Sequence, residues 1–290
     1  MRAALRPWFA LVRFEHSLFA LPFALASAWL AARGLPEPRV LALVVVCALA
    51  ARTAAMAFNR WLDRRIDAEN PRTSTRELPR GALAPGAVLA LVGVSALVFL
   101  AAARAINPLC ARFAPVVLAV LLLYSATKRF TVAAHFVLGL ALALAPLGAW
   151  VAVRGDLAGD LAPPLLLALA VLTWVAGFDL LYACQDESFD RTHGLHSIPA
   201  RLGTARALRL SSALHGLTLL ALALFAWRAR LGWVFAVALL GAAVLLVWQH
   251  ALVSPTDLSR VDVAFFTLNG WVSVGLFLGL VLDLHLGREG

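Results

Sequence analysis

Apolar residues in this chain come in runs long enough to cross a bilayer, and the runs repeat along its whole length. An α-helix needs about 20 residues to span the roughly 30 Å hydrocarbon layer. Leu41 to Phe58 carries a single charge, Arg52, and Pro163 to Gly177 carries none. Of the 290 residues, 62% are hydrophobic and only 14% charged, where a soluble domain carries about a quarter. A transmembrane barrel is excluded, because its strands alternate and run about ten residues. The pattern predicts an all-α polytopic membrane protein with about nine spans, at residues 14–32, 41–62, 84–103, 110–127, 131–153, 162–184, 205–227, 232–253 and 263–285. Turn residues punctuate them, among them Gly34-Leu35-Pro36, Asn107-Pro108, Gly155-Asp156 and Pro163-Pro164. No linker is long enough to divide the chain, so residues 1–290 read as one integral-membrane domain.

At the N-terminus, Arg2, Arg6 and Arg13, an apolar run and Ala26-Ser27-Ala28 have the outline of a secretory signal. Glu15, His16 and Pro22 interrupt the run, which makes a first signal-anchor helix the simpler reading. With the N-terminus inside, sixteen Lys and Arg fall on its side of the membrane and eight on the other, Arg52 lying within a span. That bias puts the N-terminus and the 59–81 loop in the cytoplasm of an inner or plasma membrane. The net charge of +9 is therefore a topology signal. It implies no nucleic-acid partner, because the basic residues flank spans instead of forming one soluble face. Cys47, Cys110 and Cys184 are isolated, with no CxxC pair and no HExxH in the chain, so neither a zinc site nor a disulfide framework is suggested.

The segment NRWLDRRIDAENPRTSTRELPRG, residues 59–81, holds six arginines and four acids. Positive-inside bias explains the arginines but not the acids. Asn59, Asp63 and Asp67 recur every four residues. On a helix they drift about 40° per step and share one face. The sixth span leaves the membrane on the same side with FDLLYACQDESFDRTHGLHS, residues 178–197. Asp179, Asp186 and Asp190 are spaced by seven and four, which on one helix keeps them close to a common face. Tyr182, Asp186 and Asp190 repeat the spacing of Asn59, Asp63 and Asp67, a hint of an internal repeat.

One such cluster is ordinarily structural, acids at a helix end pairing with nearby arginines. Two on the same side with matched spacing point further. Asp179 lies inside the span, where an ionisable group is costly and faces a cavity. Converging carboxylates repel unless cations lie between them, and hard oxygen donors without His or Cys select Mg²⁺. Mg²⁺ held this way keeps positions for phosphate oxygens, and Arg64, Arg65, Arg72, Lys128, Arg129 and Arg201 suit a polyanion. The expectation is a lipid-tailed diphosphate held by Mg²⁺ at the cytoplasmic mouth of an apolar cavity.

These segments resemble the UbiA superfamily of intramembrane prenyltransferases over nearly the whole chain. The first motif, NxxxDxxxD, is Asn59 to Asp67, followed by NPRTSTRELPRG; the second runs Asp179-x-x-Tyr182-x-x-x-Asp186-x-x-x-Asp190. Tyr124-Ser-Ala-Thr-Lys128-Arg129-Phe-Thr resembles the family's YxxxKRxT segment, and 195–203 the stretch after the second motif. FEHSLFALPFALA, GFDLLYACQDESFD and GLHSIPARLG are most similar to the 4-hydroxybenzoate polyprenyltransferase branch, including members of menaquinone synthesis. Glu77 departs from that branch, where many ubiquinone-pathway members have proline.

The resemblance implies electrophilic prenylation of an aromatic acceptor by a polyprenyl diphosphate. It implies Asp63 and Asp67 on one Mg²⁺, Asp186 and Asp190 on a second, and Asn59 orienting the first. Arg64, Arg72, Lys128, Arg129 and Arg201 would hold the diphosphate and the acceptor. Asp179 is a candidate proton acceptor. Tyr182 and Arg129 are further catalytic candidates, and Phe58, Trp61, Phe178 and Tyr182 could face the allylic cation. The acceptor, the tail length and the oligomeric state stay open. Two other classes share features: a CDP-alcohol phosphotransferase, whose DGxxAR run this chain lacks, and a cation-coupled transporter, whose site would lie nearer the midplane.

Overall fold

The computed structural model describes residues 2–12 and 17–286. Arg13, Glu15 and His16 of the signal reading, the start of the first expected span, and Arg288 lie outside the described residues. The chain is all-α: α1 (Arg2–Val12), α2 (Ser17–Ala32), α3 (Pro38–Glu69), α4 (Pro85–Ile106), α5 (Pro108–Thr127), α6 (Ala134–Arg154), α7 (Ala162–Ala183), a 3-10 turn (Cys184–Asp186), α8 (Glu187–Thr192), α9 (Ile198–Leu202), α10 (Thr204–Ala229), α11 (Trp233–Ala251), a π turn (Val263–Leu268) and α12 (Asn269–Leu286). Among the described residues, extended pairing is limited to an isolated bridge between Ser254 and Asp257.

Eight helices of the described residues are long and apolar enough to cross a membrane, and the shorter apolar stretch Phe19–Ala32 adds a ninth. The protein is thus an integral membrane protein with the expected number of spans. Large apolar side chains point outward as well as inward; Leu97, Val116, Val247 and Trp271 are all more than 60% exposed. A helix apolar on all sides suits lipid on one face and protein on the other.

Helix ends follow local chemistry. Pro38, Pro85 and Pro108 stand in first turns, where a missing N–H costs nothing. The Asn107 side chain accepts from the Cys110 N–H at 2.8 Å, capping α5, and donates to the Val151 carbonyl at 3.0 Å. Gly155 ends α6 with φ +72°, a left-handed position that glycine occupies without a steric penalty.

α7 is the most buried span and packs between α6 and α10. A Cβ on Gly139 of α6 would collide with the Leu172 carbonyl of α7, so glycine is what lets these two helices approach. An aromatic core of Phe19, Phe23, Trp174, Phe178 and Phe265 joins α2 and α7 to the π turn. Asn269, fully buried, accepts from Trp174 Nε1 at 2.8 Å and donates to the Phe265 carbonyl at 2.9 Å. It thereby satisfies a carbonyl of the π turn and ties that turn to α7.

Two departures from the sequence reading bear on the site. α3 runs seven residues past the expected span end at 62 and carries Asp63 and Asp67 beyond the apolar stretch on one continuous helix. The sixth span does not continue as one helix through Asp190. It changes to a 3-10 turn at Cys184–Asp186 before α8, so Asp179, Asp186 and Asp190 are not on a single helix face.

Candidate active site

A cavity of about 790 Å³ runs between α2, α3, α4, α5, α6 and α7. One end is apolar, lined by Val44, Ile106, Phe113, Trp150, Leu161 and Leu165. The other end is polar and collects Asn59, Asp63, Asp67, Arg72, Lys128, Asp179, Tyr182, Asp186 and Asp190. The two aspartate-rich segments, more than a hundred residues apart in the chain, therefore face one space.

Asp63 is 2% exposed and Asp67 5%. Burying a carboxylate demands a partner, and the structure supplies one for each. Asp63 accepts from Lys128 Nζ at 2.5 Å and from an Arg129 terminal nitrogen at 2.8 Å. The Asn59 amide stands 3.5 Å from the same Oδ2 that accepts from Lys128. Asp67 Oδ1 accepts from Arg76 at 2.7 Å. Arg72 forks onto Asp186, with Nε at 2.9 Å from Oδ1 and a terminal nitrogen on Oδ2, while its other terminal nitrogen reaches the Tyr182 hydroxyl at 3.1 Å. The Asn70 amide adds a bond to Asp186 at 3.1 Å. Burial works against the Arg72 charge, but the hydrogen bond and charge of Asp186 outweigh it and hold the guanidinium pKa above its ordinary value. Asp190 lies beside Ser197, Asp186 and Lys128.

Local folding places these groups. Asn70 Oδ1 accepts from the Arg72 N–H at 2.9 Å, turning the chain at the end of α3. Thr73 Oγ1 donates to the Asp67 carbonyl at 3.0 Å and folds the loop back over the helix end. Across the mouth, Glu187 accepts from the Thr204 N–H at 2.8 Å and caps α10. The His196 N–H donates to the Lys128 carbonyl at 2.7 Å, pinning the second segment to the end of α5.

Other expected residues lie elsewhere. Arg64 is not on the cavity wall; its guanidinium sits 4.8 Å above the Trp61 ring and donates to the Trp61 carbonyl at 2.7 Å. Phe58 and Trp61 stack on each other at 5.8 Å in a cluster with Leu78, Leu83 and Val88, away from the cavity. Arg201 is exposed on α9 and does not line the cavity. Arg129 reaches Asp63 without lining the cavity itself. Phe178 and Tyr182 do line it, together with Phe265 and Phe266 of the π turn; the Tyr182 and Phe265 rings are 4.3 Å apart.

The sequence reading missed four groups that the structure brings in. Arg76 and Asn70 meet the acids through the loop after α3. Arg52, the single charge of its span, lines the cavity wall with Tyr124 beside it; a charge within a span was itself the signal. His135 is 4% exposed at the start of α6, with Nδ1 at 2.7 Å from Asp179 Oδ2.

Among the described residues no three His, Cys, Asp or Glu side chains already form a metal cluster; Asp63, Asp67 and Asp186 instead hold cations of the protein. The donor set nonetheless fits a hard divalent cation. All four candidates are carboxylates on one cavity end, and Asp67 Oδ2 is buried with no hydrogen-bond partner among the described residues.

Comparison with known proteins agrees with this architecture. The chain is 34% identical over 255 residues to the 4-hydroxybenzoate octaprenyltransferase of Aeromonas hydrophila, covering 88% of this chain and 87% of that one. It is 30% identical over 289 residues to the protein of the same name from Saccharophagus degradans, covering 98% and 94%. The apo structure of a UbiA homolog from Aeropyrum pernix K1 superposes with a TM-score of 0.84 at 35% identity, over 93% of this chain and 98% of that one. A UbiA homolog from Archaeoglobus fulgidus bound to DMAPP and Mg²⁺ shares the fold, with a TM-score of 0.71 at 18% identity over 95% and 99%. The profile of the UbiA prenyltransferase family matches residues 20–271, and the chain belongs to that family.

Proposed function

We propose that the protein transfers a polyprenyl group from a polyprenyl diphosphate to an aromatic acceptor, 4-hydroxybenzoate or a related quinone precursor, at the cytoplasmic face of an inner or plasma membrane. The observation that carries this reading is the cavity itself. It is apolar for most of its length and ends in four aspartates interleaved with Lys128, Arg72 and Arg76. A greasy tail and a diphosphate head need those two environments joined in that order. The names of the relatives from Aeromonas hydrophila and Saccharophagus degradans support the aromatic acceptor.

Asp63 and Asp67 on α3, with Asp186 and Asp190 beyond α7, are the residues that would hold Mg²⁺. When bound, the metal offsets charge developing on the leaving diphosphate. Lys128, Arg72 and Arg76, now paired with the acids, are within reach of the same diphosphate and add to that electrostatic stabilisation. Asn59 orients Asp63. Phe178, Tyr182, Phe265 and Phe266 present rings and apolar surface around the allylic carbon. They favour the cation through their π faces and exclude the water that would trap it. Arg52 supplies a positive charge on the wall for an acceptor carboxylate. Asp179, on α7 and seven residues before Asp186, accepts the ring proton.

The test is to incubate membranes containing the protein with labelled polyprenyl diphosphates and a panel of aromatic acids, then identify products by mass spectrometry. A prenylated 4-hydroxybenzoate is expected. Hydrolysis to polyprenol with every aromatic acid unchanged would refute the acceptor class.

A further inference from the structure

We propose that His135 is the positioning residue for proton removal: it fixes Asp179 as the base that takes the ring proton after the carbon–carbon bond has formed. The inference rests on the aromatic transfer proposed above.

His135 is 4% exposed, stands in the first turn of α6 and lines the cavity beside Asp179. Its Nδ1 is 2.7 Å from Asp179 Oδ2. A carboxylate oxygen only accepts, so the proton of that bond belongs on Nδ1. Its other nitrogen, Nε2, is buried with no partner among the described residues. His215, which joins helices here, bonds through both nitrogens, with Nδ1 at 2.8 Å from His250 and Nε2 at 3.2 Å from the Trp174 carbonyl. His135 leaves one nitrogen unmatched, a buried polar deficit that calls for an explanation. Its one bond goes to the acid in the cavity.

That bond has a chemical use. Asp179 keeps about a quarter of its side chain accessible, which leaves Oδ1 able to meet a substrate while Oδ2 is held. Among the described residues no Lys or Arg pairs with Asp179, whereas Asp67 and Asp186 each carry one and Asp63 carries two. Asp179 and Asp190 are thus the acids of the group outside those ion pairs, and of the two it is Asp179 that His135 orients. Attack of the ring carbon on the allylic carbon releases diphosphate and leaves a cationic, non-aromatic ring. The C–H bond at the new junction then breaks. Its electron pair returns to the ring and its proton goes to Asp179 Oδ1. A base displaced by 1 Å loses rate on the order of a hundredfold, so removing its tether should make this step slow enough to be seen.

The experiment uses the full-length protein in membranes, octaprenyl diphosphate, and 4-hydroxybenzoate either unlabelled or deuterated at the carbons beside the hydroxyl. His135→Leu should lower kcat by roughly ten- to hundredfold while leaving the KM for octaprenyl diphosphate unchanged. It should also raise the isotope effect on kcat above the wild-type value, because proton removal has become rate-limiting. His135→Asn places an N–H where Nδ1 was and should restore most of the rate and the wild-type isotope effect. His135→Gln carries its N–H one bond further out and should behave like the leucine variant; it provides the same comparison should His135→Leu fail to accumulate. A slowed His135→Leu or His135→Gln with an unaltered isotope effect, or an asparagine variant as slow as the others, would make the contact purely structural and overturn the proposal. So would undiminished turnover in all three. Failure of the parent reading shows differently, as absence of prenylated product from the wild-type protein.

Discussion

Asp186→Asn separates a metal ligand from an ion-pair partner, provided the same pair is also broken from its other end. In the structure Asp186 holds Arg72 through two nitrogens, with side chains 17% and 30% exposed. A pair this accessible contributes about 1 kcal/mol. Asparagine keeps one carbonyl oxygen for Arg72 or Asn70, so the structural loss from Asp186→Asn should not exceed that. Arg72→Gln loses the same pair from the cationic side. If the pair only fastens the loop after α3 to the end of α7, the two variants should match: slightly less stable, with normal turnover per folded molecule. If Asp186 holds Mg²⁺ where diphosphate charge develops, its substitution should cost about a hundredfold or more in kcat, roughly 2.7 kcal/mol or above. Arg72→Gln should then act mainly on the KM for the prenyl diphosphate. The assay is prenyl transfer per folded enzyme at saturating acceptor, with prenyl diphosphate varied. Asp156→Asn is the control. Asp156 is exposed, 4.0 Å from Arg154, and its substitution should stay within about 0.5 kcal/mol. Equal, small losses for Asp186→Asn and Arg72→Gln would refute the ligand assignment.

Chelation with EDTA should abolish turnover and added Mg²⁺ should restore it, since the candidate ligands are all hard oxygens; full activity in a metal-free preparation would count against metal assistance. A reporter fused after Arg72 should read cytoplasmic and one fused after Gly290 external, as nine spans and the arginine bias require. Arg52→Gln should raise the KM for 4-hydroxybenzoate while sparing that for the prenyl diphosphate, measured by separate substrate titrations. Asn269→Ala should lower thermal stability in detergent by about 2 kcal/mol, because it orphans Trp174 Nε1 and a π-turn carbonyl inside the protein.

What the sequence could reveal depended on whether the physics was local. Apolar runs gave the spans because bilayer thickness acts on each helix separately. Asn59, Asp63 and Asp67 were legible as a cluster because an uninterrupted α3 keeps a four-residue spacing on one face. The same argument failed in form for Asp179, Asp186 and Asp190. No Gly or Pro marks the change to a 3-10 turn at Cys184, and the three acids meet at the cavity although no single helix aligns them. The π turn at Val263–Leu268 was equally silent, its backbone being satisfied by Asn269 rather than announced by a breaker. His135 was not legible at all. A lone histidine in a span says nothing of its partner, and Asp179 lies 44 residues away.

The arginines illustrate a subtler limit. Counting them by side predicts which face is cytoplasmic, but a count does not say which of them enter the site. Arg64 and Arg129 both lie close in sequence to a candidate ligand or to Lys128, yet Arg64 turns onto Trp61 while Arg129 reaches Asp63. Burial decides between them. Asp63 is nearly inaccessible, and a carboxylate there is tolerable only with positive charge within a few ångströms. Lys128 and Arg129 meet that need, as Arg76 does for Asp67 and Arg72 for Asp186. A polyanion entering with a divalent cation would reverse these pairings, giving the acids a metal and the protein's own cations a phosphate. On that proposal acids and bases alternate in the 59–81 segment because each sign would be needed in both arrangements, and a single sign at the mouth of an apolar cavity would be buried without a partner.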